Sequence, residues 1–135
     1  MNRVDLHTSP RRGGVQDMKL LVWNIRGAGN RHFLNELKGH HRLHRLHILA
    51  LLETYISGDG TDEVCRRSEF DKWYRVEAQG FQGGIWLLWN SHKITVEIIQ
   101  PHVQYITVEV HGGQTPTWLF TAVYMSPHWQ DKEQC

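Results

Sequence analysis

Three stretches of the chain are apolar with almost no polar interruption. Leu20-Leu21-Val22-Trp23, Leu46 to Leu52 (broken only by His47) and Ile85-Trp86-Leu87-Leu88-Trp89 lack polar alternation, the mark of strands covered on both faces. Between the first two, Phe33, Leu34 and Leu37 fall at helical spacing, with Asn30 suited to the N-cap. Gly39 and the His-rich stretch after it weaken that helix. Strand, helix, strand in this order predicts a βαβ-like unit, its two strands parallel neighbours and its helix over one face. Thr61 caps a second, short helix running through Arg67, with Asp62 and Glu63 suited to its first turn.

The remainder reads as strands: Trp73 to Ala78, Ile85 to Trp89, Ile94 to Ile99, Tyr105 to Val110 and Thr117 to Tyr124. In Tyr105 to Val110, Ile106, Val108 and Val110 alternate against Thr107 and Glu109, which predicts one wet face. Gly83-Gly84, Asn90-Ser91 and Gly112-Gly113 supply turns, so this part is expected to be mostly antiparallel. Residues 1–17 carry Ser-Pro, Arg-Arg and Gly-Gly without apolar periodicity and predict a flexible arm. Residues 128–135 are a polar tail.

Composition narrows the function classes. Apolar residues at 40% and charged residues at 21% are globular proportions, and 135 residues suit one domain. Fifteen Lys and Arg against fourteen Asp and Glu leave +1, so binding of nucleic acid by bulk charge alone is excluded. Two cysteines, Cys65 and Cys135, make no disulfide framework and favour a reducing compartment. No apolar run approaches the ~18 residues of a membrane span, and the first residues have no apolar segment of a secretory signal. Six tryptophans promise a substantial core or a stacking surface.

The candidate chemistry lies at strand ends. Asn24 and Glu53 each follow a buried-type strand directly, and two parallel strands joined by one helix bring these side chains close. An amide oxygen with a carboxylate is hard-ligand chemistry, suited to Mg2+ or Mn2+ and poor for Zn2+. On residues alone, Asn24 reads more simply as a turn residue and Glu53 as a solvated strand-end charge. Gly83-Gly84, entering an apolar strand, permits an unusual φ or a close backbone approach, or is a plain turn. Tyr124, followed by Ser126-Pro127, can bring a phenol to a phosphate, or simply pack. His40 and His44 have the i, i+4 spacing of a metal pair, but no HExxH glutamate accompanies them. Arg42 and Arg45 lie among them, so this stretch reads as a solvated basic helix end.

Four segments in order, from Met18 to Pro127, resemble the endonuclease/exonuclease/phosphatase family of exonuclease III, the apurinic endonucleases and DNase I. They are Leu21-Val22-Trp23-Asn24-Ile25-Arg26-Gly27, Ile48-Leu49-Ala50-Leu51-Leu52-Glu53-Thr54, Gly83-Gly84-Ile85-Trp86-Leu87-Leu88-Trp89 and Thr121-Ala122-Val123-Tyr124-Met125-Ser126-Pro127. The likeness is greatest to the endonuclease region of plant LINE-type retrotransposon proteins. It implies an α/β fold, the N-terminal half of a DNase I-like sandwich, with a mixed sheet and one or two helices on its outer face. A partial domain over residues 18–127 follows.

By this resemblance Glu53 is a metal-ligating glutamate, Asn24 stands beside metal and scissile phosphate, and Tyr124 approaches the phosphate. The glycine pair is a structural mark. The cofactor implied is Mg2+ or Mn2+, held weakly, and the partner is DNA; a nuclear location follows from the resemblance alone. The family's later Gly-Asp-Phe-Asn-like and Ser-Asp-His-like segments have no match in this sequence. The expectation is therefore a fragment of a Mg2+-dependent phosphodiester-cleaving endonuclease domain, inactive by itself. The alternatives are a non-catalytic remnant that binds nucleic acid and a small α/β protein-interaction module. With a partner sheet largely missing, Leu87, Trp89, Ile106, Val108, Trp118 and Phe120 are expected to include residues left on an open apolar face. Such a face would lower stability and favour self-association.

Overall fold

The computed structural model describes residues 3–8, 18–25, 32–54, 59–77, 83–102, 104–112 and 116–123; for 3–8, 44 and 59–61 only the backbone is described. In chain order the elements are β1 (Arg3–Thr8), β2 (Lys19–Asn24), α1 (Phe33–His44), β3 (Ile48–Leu52), α2 (Asp59–Arg66), β4 (Lys72–Val76), β5 (Ile85–Trp89), β6 (Thr95–Pro101), β7 (Tyr105–His111) and β8 (Trp118–Val123). The fold is mixed α/β, with two sheets and two helices. One sheet has the order β1-β2-β3-β5-β4 and the other β6-β7-β8.

The three apolar runs occupy the middle of the larger sheet. β2 and β3 are parallel, Leu20 opposite Ile48 and Asn24 opposite Leu52, as the strand–helix–strand pattern predicts. β5 lies antiparallel on the other side of β3, and β4 closes that edge against β5. Because side chains alternate along a strand, each run serves two layers. Leu21, Trp23, Leu49, Leu51, Trp86 and Leu88 pack with Phe33 and Leu37 of α1, Cys65 of α2 and Phe70. Leu20, Ile48, Ala50, Leu52, Ile85 and Leu87 pack instead with Ile106, Val108, Val110 and Ala122 of the smaller sheet.

That second core corrects the expectation of a largely missing partner sheet. Ile94 to Tyr124 reads as strands in the sequence, but their neighbours are set by the turn at Asn90–Lys93. There the amides of Lys93 and Ile94 donate to the Asn90 carbonyl, and the chain passes from one sheet to the other. Leu87, Ile106 and Val108 are fully buried between the sheets, and Trp89, Trp118 and Phe120 are half-buried. The arm expected over residues 1–17 also needs correction. Arg3–Thr8 forms an antiparallel ladder on β2, a strand too short for its Val4/Leu6 alternation to stand out.

Helix α1 runs past Gly39 to His44, further than the sequence suggests, and the reason is packing. His40 meets Trp23 edge-on with ring centroids 5.1 Å apart, and His41 stacks on Phe70 at 4.5 Å. These two imidazoles are therefore half-buried packing groups, while Arg42 and Arg45 beside them are exposed, as expected of a solvated basic helix end. Arg45 ends the helix in the left-handed region (φ 51°), its amide donating to the His41 carbonyl. His32 occupies the N-cap position without a side-chain cap bond; Asn30 lies outside the described residues.

The amino ends of the parallel pair are clamped. The Lys19 amide donates to His47 Nδ1 at 3.0 Å, and the His47 amide donates to the Lys19 carbonyl at 2.9 Å. An accepting Nδ1 requires the neutral ring protonated at Nε2. Burial, then Lys93 and Lys19, hold the His47 pKa below its ordinary 6.5. His41 is lowered by burial, Lys93 and Arg42, with Glu69 opposing. The unfolded chain therefore takes up these protons first, and stability present above pH 6.5 is lost as pH falls below it. The urea midpoint should drop on acidification from neutral pH. His47→Asn, which keeps an acceptor without titrating, should flatten that drop by about 1 kcal/mol, one hydrogen bond's net worth. An unchanged slope in the variant would refute this role for His47.

Candidate functional site

The carboxyl ends of β2 and β3 are where backbone geometry departs from the ladder. Asn24 pairs with Leu52, and the next amide, Ile25 N–H, donates to the Leu52 carbonyl at 3.0 Å. Glu53 follows directly, so Asn24 and Glu53 leave neighbouring parallel strands at the same end. Glu53 is only 5% exposed and takes φ 58°. A left-handed conformation costs a non-glycine residue roughly 1–2 kcal/mol. It persists only where the surroundings fix it, and such positions gather at functional sites.

Here the fixing groups come from the approach to β5. The Glu53 amide donates to the Gly84 carbonyl at 3.0 Å, and Thr54 Oγ1 donates to the Gly83 carbonyl at 3.2 Å. Gly84 itself has φ 88°, a conformation that side chains rarely adopt. Both glycines and Thr54 are buried. The glycine pair is thus a brace: the Gly84 carbonyl holds the backbone of the candidate ligand, and the Gly83 carbonyl holds the side chain of the residue after it. Thr54 is a supporting residue that the strand pattern does not single out; its signal is the Glu-Thr pair after one buried strand and Gly-Gly before the next.

Asn24 offers a donor of the right kind. Its Oδ1 is buried and has no hydrogen-bond partner among the described residues. An amide oxygen left in this state loses free energy unless a donor or a cation completes it. An amide oxygen and a carboxylate are the donor types that Mg2+ or Mn2+ take, so in chemistry the two residues fit the metal that the resemblance implies. Tyr124, the third residue expected at the site, lies outside the described residues.

Two further features differ from this arrangement. A cleft of about 360 Å³ opens between Leu20 and Val22 of β2 and Trp118, Phe120 and Ala122 of β8. Its lining has no titratable group and brings no chemistry of its own. Glu97, Glu109 and His111 gather on the smaller sheet, a group the sequence reading passed over because two of its members lie on one strand and the third across the ladder. Among the described residues no helix is long and apolar enough to cross a membrane. No protein-family model matches the chain, and no curated protein matches it.

Proposed function

We propose that the chain carries the metal-binding half of a DNase I-like phosphodiesterase site, with DNA as the substrate class. The observation that carries this reading is Glu53, a buried carboxylate in a left-handed backbone conformation at the end of a parallel strand beside Asn24. Its support in sequence is the ordered set of four motif segments. The two facing sheets, with helices outside the larger one, are compatible with that sandwich at the level of layers.

In this reading Glu53 and Asn24 hold a divalent ion through oxygen. When bound, the ion supplies Lewis-acid polarisation of a phosphoryl oxygen. The Glu53 backbone is fixed by the Gly84 carbonyl, so little backbone reorganisation is required when the ion binds. Asn24 would offer Oδ1 to the ion, and its NH2 group could donate to phosphate. Tyr124, by resemblance, orients a phosphate oxygen. The sequence holds no counterpart of the family's Asp/Asn and Asp-His segments, so these residues bind and orient without activating water.

A titration of the 135-residue chain with Mn2+, followed by electron paramagnetic resonance, tests the reading. Two protein ligands predict a Kd on the order of millimolar, weakened at least about tenfold in Glu53→Gln, and no nicking of supercoiled plasmid. Equal Mn2+ binding by the wild type and Glu53→Gln would overturn the assignment. So would Glu53-independent nicking.

A further inference from the structure

The outer face of the β6–β8 sheet holds a second set of ligand-type groups, independent of the strand-end site. Glu97 of β6 lies directly opposite Glu109 of β7, and His111 follows Glu109 by two residues, on the same face. One donor atom from each of the three lies within 4.8 Å of the others. Like charges directly opposite across strands are unfavourable, yet here both carboxylates gather around one imidazole. His111 Nε2 is 2.9 Å from Glu109 Oε1.

The other side of the ring points to the same chemistry. His111 Nδ1 is 2.8 Å from Thr117 Oγ1, a residue just before β8. At 2.9 Å Nε2–H donates to Glu109 Oε1; when a cation replaces that proton, Nδ1–H donates to the Thr117 hydroxyl and Nε2 becomes the ligand atom. Metal-bound histidines are held this way, the distal nitrogen hydrogen-bonded so that tautomer and ring orientation are set in advance. We infer that Glu97, Glu109 and His111 form a Zn2+ site, with Thr117 as its positioning residue. One imidazole and two carboxylates are a three-ligand zinc set, and water completes the tetrahedron on this open face. Mg2+, a hard cation that takes oxygen ligands, is disfavoured by the imidazole.

Calorimetric titration of the full 135-residue chain with Zn2+ in chelator-free buffer tests the site, with Co2+ absorption as a second readout. The wild type should bind one equivalent that His111→Ala and Glu97→Gln each weaken more than about tenfold. Thr117→Val, which leaves all three ligands in place, should weaken it by about ten- to a hundredfold. The tetrahedral Co2+ spectrum should vanish in His111→Ala and persist in Glu53→Gln. All these side chains lie outside both cores, so far-UV circular dichroism of the variants should match the wild type. Zn2+ affinity unchanged in His111→Ala, or lost only in His40→Ala, would overturn the assignment. Displacement of Zn2+ by equimolar Mg2+ would do the same.

Discussion

Trp86→Ala is expected to lower the free energy of unfolding by about 3–5 kcal/mol, and Leu87→Ala by about 2–5 kcal/mol. The two residues are consecutive on β5, yet their side chains belong to different cores. Trp86 is buried beneath the helices with Leu51 and Cys65; Leu87 is buried between the sheets with Ile106 and Val108. A domain's whole stability is typically about 5–15 kcal/mol, so either change removes a large part of it. Urea unfolding should show a lower midpoint at unchanged m. The Cys65 thiol provides a second readout in a Cys135→Ser background. Burial pushes its pKa up to about 12, so a thiolate-specific reagent should react with it only through opened molecules. That reaction should accelerate in both variants. A cost for Leu87→Ala no larger than a surface substitution's, about 0.5 kcal/mol, would mean that the two sheets do not share a core.

Opposite signs are expected from two substitutions at the strand-end site. Gly84→Ala places a Cβ on a backbone with φ 88° and should cost about 1–3 kcal/mol. It should also weaken Mn2+ binding, because the Gly84 carbonyl receives the Glu53 amide. Glu53→Gly should instead raise stability by about 1 kcal/mol, since glycine takes the left-handed conformation without penalty. Metal binding should be lost with it. This pairing of gained stability with lost binding is the signature of a residue retained for function. Glu53→Gly proving destabilising would show the carboxylate to be a structural group, and the functional reading would lose its main support.

Much of the larger sheet was legible because its central strands are short and apolar throughout. Leu20–Trp23, Ile48–Leu52 and Ile85–Trp89 can be little else, and the helix between the first two makes them parallel. The strand ends that follow made Asn24 and Glu53 visible as a pair. What escaped were relations between distant segments. The Asn90–Lys93 turn looks like an ordinary hairpin link, yet it transfers the chain to a second sheet. His47 looks like an interruption in an apolar run, yet its ring fastens the start of β2. His40 and His41 look solvated until Trp23 and Phe70 are brought beneath the helix. Glu97 and His111 become neighbours only through the β6–β7 register. In each case the missing information was a tertiary contact, which local periodicity does not carry.

The two-sided burial of β2, β3 and β5 has a consequence for how alignment between strands is chosen. In an amphipathic strand, a slip of one residue exposes apolar groups and buries polar ones, so polarity enforces the pairing. Here a slip exchanges one apolar set for another, and polarity is nearly silent. Bulk takes over that task. The helix-facing positions include Trp23 and Trp86, while the sheet-facing positions include Ala50 and Val22. A one-residue slip would press indoles into a gap shaped for an alanine and leave voids beneath the helices, and both overpacking and cavities are costly. The unevenness of side-chain volume across the sheet is therefore itself a code for alignment, written in sizes where most strands write it in polarity.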